Sequence, residues 1–466
     1  MGWKRTLPGF LTVATFVVCI AAFVAMRFAW VQPQAMTHVR TIDPTYFGRR
    51  VLVIAPHPDD EVLTAGGAIQ RLRSDGATVR VVIVTAGDGY ASAALRLSPG
   101  PLAPLSFRHL GEVRYAESLS ADGKLGLGPG DVISLGFPDT GTTSLWNADW
   151  TADSTHAGRT GSTCVPYPWA MRSAAPYTGQ ELTAELVGII RDYAPDTVIS
   201  PDTRETHPDH SAVAAFTLLA LDQTGFSGRH LTALVHYRGY PSLLAYLPGG
   251  VLQPPPGLVT GDSQWLGLHV SPSHDRVTLS ALSRYRSQML LLGRVAPYMQ
   301  VLTRTNELFD DRPAAQIARR AADNQPSAGD DGTVVVTPPP GTIQFAVAPG
   351  RIDAVRAVRG PGTTWIGIVS HDEVSRARTY GVSMRLVREG ESARLDVLVR
   401  DGSTMIQRIC GDSLDPAGVT STLAGNTVWV AIPSSTFDGY GHAILQTSST
   451  GAGEFPFRTS WRDVEL

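Results

Sequence analysis

The stretch Val51-Leu-Val-Ile-Ala-Pro-His-Pro-Asp-Asp-Glu61 passes without a break from an apolar run into a cluster of metal-ligand and acid–base side chains. Val51–Ala55 shows no polar alternation, which marks a strand buried on both faces. Downstream, Val62, Ala65, Ile69 and Leu72 recur at three- and four-residue steps and Gly76 follows as a stop, so the cluster opens a helix. Val79-Arg-Val-Val-Ile-Val-Thr85 is a second buried run, and the three segments make a βαβ unit. A helix from about Gly111 to Leu125, a strand Asp196–Ser200 and a helix from Asp209 to about Leu221 continue the pattern. The expected fold is α/β, with a mostly parallel, Rossmann-like sheet flanked by helices.

A second cluster, His207-Pro-Asp-His210, follows the strand Asp196–Ser200 and opens the next helix. Ligands of open parallel sheets sit outside the carboxyl ends of the strands, so the two clusters can converge although about 150 residues separate them. Imidazole nitrogen and carboxylate oxygen suit zinc, and a catalytic zinc takes three protein ligands and a water. His57 and Asp60 can face one point from a helix start, and His210 closes a third position around one divalent ion. Asp59, beside a ligand but not itself bound, is placed as general base. His207 is placed to stabilise an oxyanion or protonate a leaving amine, with Asp209 tuning its charge. Taken singly, carboxylates at a helix start are ordinary caps and a His-x-x-His is an ordinary surface pair. Two such clusters, each between a buried strand and a helix, point to a site.

Ala55-Pro-His-Pro-Asp-Asp-Glu61 followed by Gly66-Gly67, with His207-Pro-Asp-His210 later, resembles the LmbE/PIG-L family of zinc-dependent de-N-acetylases. The likeness runs through Thr85–Gly89, Gly111, Arg114, Glu117, Leu135–Asp139, Ala281–Gln288 and Asn306–Phe309, about residues 48–310. It implies removal of acetyl from N-acetylglucosamine units of small thiols, glycolipids or other glycans. It also implies His57, Asp60 and His210 as zinc ligands, Asp59 as base and His207 as acid or electrostatic partner. Arg114 and Asp139 are implied to contact sugar hydroxyls or a phosphate-like group, with Asp88 beside them as a substrate contact. Asp88 departs from the glutamate common at its position.

Outward from this region the chain changes character. Lys4 and Arg5 precede the apolar stretch Leu7–Met26, long enough as a helix to cross about 30 Å of bilayer. Residues 1–31 are expected to be a signal anchor, with a cleaved signal peptide and secretion as the alternative, and residues 32–47 a tether. That places the protein in the cell membrane as a single-pass chain with the catalytic domain outside the cytoplasm. Thr140–Gly179 is rich in Gly, Ser, Thr and aromatics and reads as a lid or substrate wall, or as a surface insertion over a satellite core. Residues 311–340 read as a linker, and 341–466, where Leu395, Val397 and Val399 alternate with other residues, as a β-sandwich-like accessory domain. Trp429 lies inside an apolar strand and reads as core.

The chain has 466 residues and a formal charge of −3, which indicates at least two domains and supplies no large basic field for nucleic acid. Expected partners are an N-acetylated sugar or glycoconjugate and, through the N-terminal helix, a membrane. Two rival functions remain. A dinucleotide oxidoreductase lacks its G-x-G-x-x-G after the first strand. A surface-anchored glycan-binding protein would keep the metal site only as a structural or decayed remnant.

Overall fold

The computed structural model of the chain describes residues 38–98, 100–246, 250–289, 297–326, 333–336, 350–410, 414–415 and 417–466. Eight strands form the first sheet: β1 (Arg40–Ile42), β2 (Arg50–Ala55), β3 (Thr78–Thr85), β4 (Val132–Phe137), β5 (Thr197–Pro201), β6 (Arg229–Ala233), β7 (Trp265–His269) and β8 (Asn306–Asp310). Their order is β1-β7-β8-β6-β5-β2-β3-β4. Only β8 pairs antiparallel with its neighbours, so the sheet is mostly parallel. Among the described residues the helices longer than ten residues are α1 (Asp60–Ser74), α2 (Pro104–Lys124), α3 (Gly179–Tyr193), α4 (Pro208–Thr224) and α5 (Pro272–Leu282).

The missing alternation in β2 has a direct cause. Val51, Val53 and Ala55 enter one core with Val62, Ile69 and Leu72 of α1, while Leu52 and Ile54 enter another with Leu186 of α3 and Phe216 of α4. In β3, Val81 and Ile83 divide from Val82 and Val84 in the same way. Helices cover both faces, so every position is apolar.

Helix α1 is interrupted at Ala65 (φ −143°, ψ 15°). The break frees the N–H groups of Gly67 and Ala68, which donate to the Glu307 carboxylate at 2.6 and 2.8 Å. A Cβ on Gly66 would lie 2.7 Å from the Thr278 side chain, and one on Gly67 would lie 2.6 Å from Val270. The glycine pair therefore lets α1 approach α5 and the chain leading into it.

The last third forms two further sheets. One holds Ala318–Arg319, Ile352–Arg359, Thr363–Ser370, Thr427–Pro433 and Thr420–Ala424 in that order, with Thr333–Val336 also paired to Ile352–Arg359. The other holds Ser403–Cys410, Glu391–Arg400, Thr379–Arg388, His442–Thr450, Arg462–Glu465 and Ala315–Gln316, with Phe457–Arg458 on His442–Thr450. Val355, Ile368 and Val430 of the first share a core with Val382, Leu395 and Val397 of the second. Trp429 is fully buried. The opposite face of the second sheet packs on the α/β unit, where Val387 and Ile444 join its second core.

Several expectations are corrected. Arg40–Ile42, within the expected tether, pairs with β7, and residues 315–319, within the expected linker, pair into both C-terminal sheets. The aromatics of Thr140–Gly179 form no satellite cluster: Trp146, Tyr167 and Tyr177 are buried in the second core of the α/β unit. The single-pass membrane placement does not stand. Among the described residues no helix is long and apolar enough to cross a membrane. The most apolar of the long helices, α4, buries its faces against the sheet and the C-terminal strands instead. The segment Leu7–Met26 on which that expectation was based lies outside the described residues.

Candidate active site

Four carboxyl ends of parallel strands supply the site: β2 leads to His57, Asp59 and Asp60, β3 to Asp88, β4 to Asp139, and β5 to His207, Asp209 and His210. Strand β2 lies between β3 and β5, so the strand order reverses beside it, and a crevice opens at such a point. His57 Nδ1 lies 3.1 Å from Asp60 Oδ2, and His210 Nε2 lies 3.1 Å from the same oxygen. The two clusters therefore meet on one carboxylate. The other His57 nitrogen, Nε2, lies 3.3 Å from Asp209 Oδ2 and 3.4 Å from Asp139 Oδ1.

Asp59 precedes α1 with φ 117°, a backbone region costly for a residue with a side chain. Its side chain caps nothing. Arg114 of α2 holds it instead, with Nη2 donating to Asp59 Oδ2 at 3.2 Å and to Pro58 O, and Nη1 to Gly87 O at 3.0 Å. Arg114 is buried, and these partners are all protein groups. Asp88 and Asp139 are likewise engaged: Tyr167 Oη donates to Asp88 Oδ2 at 2.7 Å, Asp139 N to Asp88 Oδ1 at 3.1 Å, and Gly89 N to Asp139 Oδ2 at 3.0 Å. Asp209 accepts from Thr140 N at 2.7 Å and from Thr142 Oγ1 at 2.5 Å. Its direct imidazole partner is thus His57 rather than His207.

Burial and opposed charges separate the protonation states of these groups. Burial raises Asp59 to about 7, against the pull of Arg114. Burial would raise Asp60 too, but His210 and His57 hold it well below the usual carboxylate range. Burial and the charge of Asp139 raise Asp88 to about 7. Burial opposes the charge on His210, yet Asp60 and Glu205 lift it to about 9. For His207, burial followed by the charges of His57 and His210 lowers the imidazole to about 4.

The donor set fits a metal ion. His57, His207 and His210 each offer a ligand atom within 4.8 Å of the others, as do Asp60, His210 and His236. Tetrahedral bonds of about 2.0–2.1 Å put ligand atoms roughly 3.3 Å apart, close to the separations around Asp60. Beside these groups His207 Nδ1 is buried without a hydrogen-bond partner.

Two members of this cluster carry no sequence signal. Glu205 accepts from the backbone N–H groups of Val235 and His236 and lies 3.7 Å from His210 Nδ1, where it orients that ring. The His236 ring centroid lies 4.8 Å from that of His210. Glu205 lies two residues before His207, outside the quoted motif, and nothing around His236 resembles a motif.

Residues 52–221 match the family model described as PIG-L, GlcNAc-PI de-N-acetylase. Among curated proteins, the chain is 33% identical over 185 residues to a 1D-myo-inositol 2-acetamido-2-deoxy-alpha-D-glucopyranoside deacetylase of Tsukamurella paurometabola, covering 39% of this chain and 57% of that protein. The protein of the same name from Rhodococcus opacus is 32% identical over 181 residues, covering 38% and 54%. The chain thus spans little more than half the length of these relatives. Among solved structures it is similar to N,N'-diacetylchitobiose deacetylase from Pyrococcus horikoshii, at 21% identity and a TM-score of 0.33, over 52% of this chain and 72% of that one.

Proposed function

Residues 52–221 are a domain of the PIG-L family, and from that premise we propose that the chain is a zinc-dependent hydrolase that removes acetyl from an N-acetylated amino sugar or glycoconjugate. The observation that carries the proposal is the meeting of His57 Nδ1 and His210 Nε2 on one oxygen of Asp60, each at 3.1 Å. Asp59 stands beside them, released from capping. His57, Asp60 and His210 would hold one ion. When bound, zinc supplies Lewis acidity, which lowers the pKa of a water and polarises a carbonyl.

The chain's own groups do the rest. Asp59, at about 7, accepts a proton from the water that attacks the acetamide carbon and passes it to the amine nitrogen as the C–N bond breaks. Acetate and a free amine leave. His207, held neutral by its lowered pKa, donates an N–H to the carbonyl oxygen as charge develops there. Asp209 accepts from His57 Nε2 at 3.3 Å and so keeps the Nδ1 lone pair turned toward Asp60. Arg114, Asp88 and Asp139, already bonded to the loops around the site, position the groups that a sugar would meet.

The test is mass spectrometry for loss of acetyl from a panel of N-acetylglucosamine conjugates, with the zinc-loaded chain. Turnover should stop on adding a phenanthroline chelator, and Asp59→Asn should lower it by about 10²–10⁴-fold. Unchanged turnover in Asp59→Asn, or none on any conjugate, would remove the proposal.

A further inference from the structure

Helix α4 carries the proposed zinc ligand His210 in its first turn and Asp222 in its last, about 18 Å further along at roughly 1.5 Å per residue. There the C-terminal unit brings two more ligand-type side chains against it. His442 and Asp463 lie on neighbouring antiparallel strands, where His442 pairs with Glu465 and Ile444 with Asp463. Residues two apart share a face, so His442 and Asp463 point the same way as Ile444, toward the α/β unit. His442 Nδ1 lies 3.0 Å from Asp463 Oδ1 and 3.8 Å from Asp222 Oδ1.

We propose that Asp222, His442 and Asp463 form a second divalent-cation site, distinct from the catalytic one, that clamps the C-terminal sheets to the catalytic domain. One ligand atom from each of the three lies within 4.8 Å of the other two, the spread of a first ligand shell. One imidazole with two carboxylates is a donor set for zinc or manganese. Asp222 Oδ2 is buried without a hydrogen-bond partner, a cost that a cation between the carboxylates removes. Beside the three lies a cavity of about 370 Å³, lined by them, Arg229, Arg312 and Trp461, with room for the waters that complete the shell. Its arginines, Arg462 among them, do not oppose the ion directly, and Arg462 Nη2 lies 3.4 Å from Asp262 Oδ2. Arg312 is paired with Asp262, and the Arg229 guanidinium lies over the Tyr46 ring at 4.6 Å. This inference does not depend on the deacetylase reading, because none of the three residues touches that site.

The test uses the 466-residue chain carrying the double substitution His57→Ala/His210→Ala, which lacks two of the proposed catalytic ligands. After dialysis against Zn²⁺ or Mn²⁺ alone, elemental analysis should find one ion per chain, and the melting midpoint should rise with the ion. Adding Asp222→Asn or His442→Ala should abolish both effects. Should the double variant bind neither ion, or keep its ion after both additional substitutions, the second site does not exist. The measurement on the double variant stands even where an added substitution prevents folding.

Discussion

Arg114 shows how one side chain ties two loops of the candidate site together. Its guanidinium bridges Asp59, the Pro58 carbonyl and the Gly87 carbonyl, tying the loop after β2 to the loop after β3. Its charge also opposes the rise in Asp59's pKa that burial causes. Lysine keeps the charge but not the fork. Arg114→Lys should therefore lower kcat by about 10–100-fold, the range found when a supporting contact is lost, with KM little changed. Steady-state kinetics decides the role, because a residue that binds sugar directly would raise KM instead. The residue types in both clusters were legible in the sequence, but the use of Arg114 was not. The resemblance implied a sugar or phosphate contact, whereas the bonds to the two loops depend on how α2 packs, which residue type does not disclose.

At the scale of the element, the break in α1 is held by Glu307 of β8, whose carboxylate takes two N–H groups released at the kink. Glu307→Ala leaves both donors buried and unpaired, and should cost about 1–3 kcal/mol each in urea-unfolding experiments. Burial raises Glu307 from the ordinary glutamate range to about 7, despite the two N–H groups. A folded pKa above the unfolded one means that the protonated acid is favoured in the fold. That contribution is full below about 4.5 and is lost as pH rises through about 7. Wild type should lose stability relative to Glu307→Gln between those values, and parallel midpoints across that range would contradict it. Gly66-Gly67 was recognisable in the sequence as part of a pattern. The kink and its acceptor, 240 residues away, were not.

For the whole molecule, the C-terminal unit is a strut rather than an appendage. The short helix Thr142–Asn147 binds Asp209 at its start, and its terminal carbonyls accept from the C-terminal sheet. Arg394 Nη1 donates to Trp146 O at 2.7 Å and to Asn147 O at 3.1 Å, and Arg385 Nη2 to Trp146 O at 3.2 Å. Helix-end carbonyls buried here need such donors. Arg394→Ala should destabilise the chain by about 1–3 kcal/mol and also reduce turnover, because Thr140 and Thr142 set the position of Asp209. Calorimetry with a parallel assay checks both. A lower midpoint with unaltered turnover would show that the strut ends at Trp146. Buried charges also explain why the period of two in Glu391–Arg400 is imperfect: Arg394 and Asp396 are buried because both faces of that sheet are covered.

By itself the sequence determined the parallel α/β core and the two ligand clusters at strand ends. Unbroken β-rich runs, helical periodicity and residue type are local properties, and a parallel sheet puts such strand ends on one side. Only the tertiary structure decided that both imidazoles meet on one oxygen of Asp60, that Glu205 and His236 stand around them, and that Arg394 reaches a carbonyl 248 residues away. Those contacts depend on how separate elements pack, and residues distant along the chain carry no periodic trace of the neighbours that packing gives them.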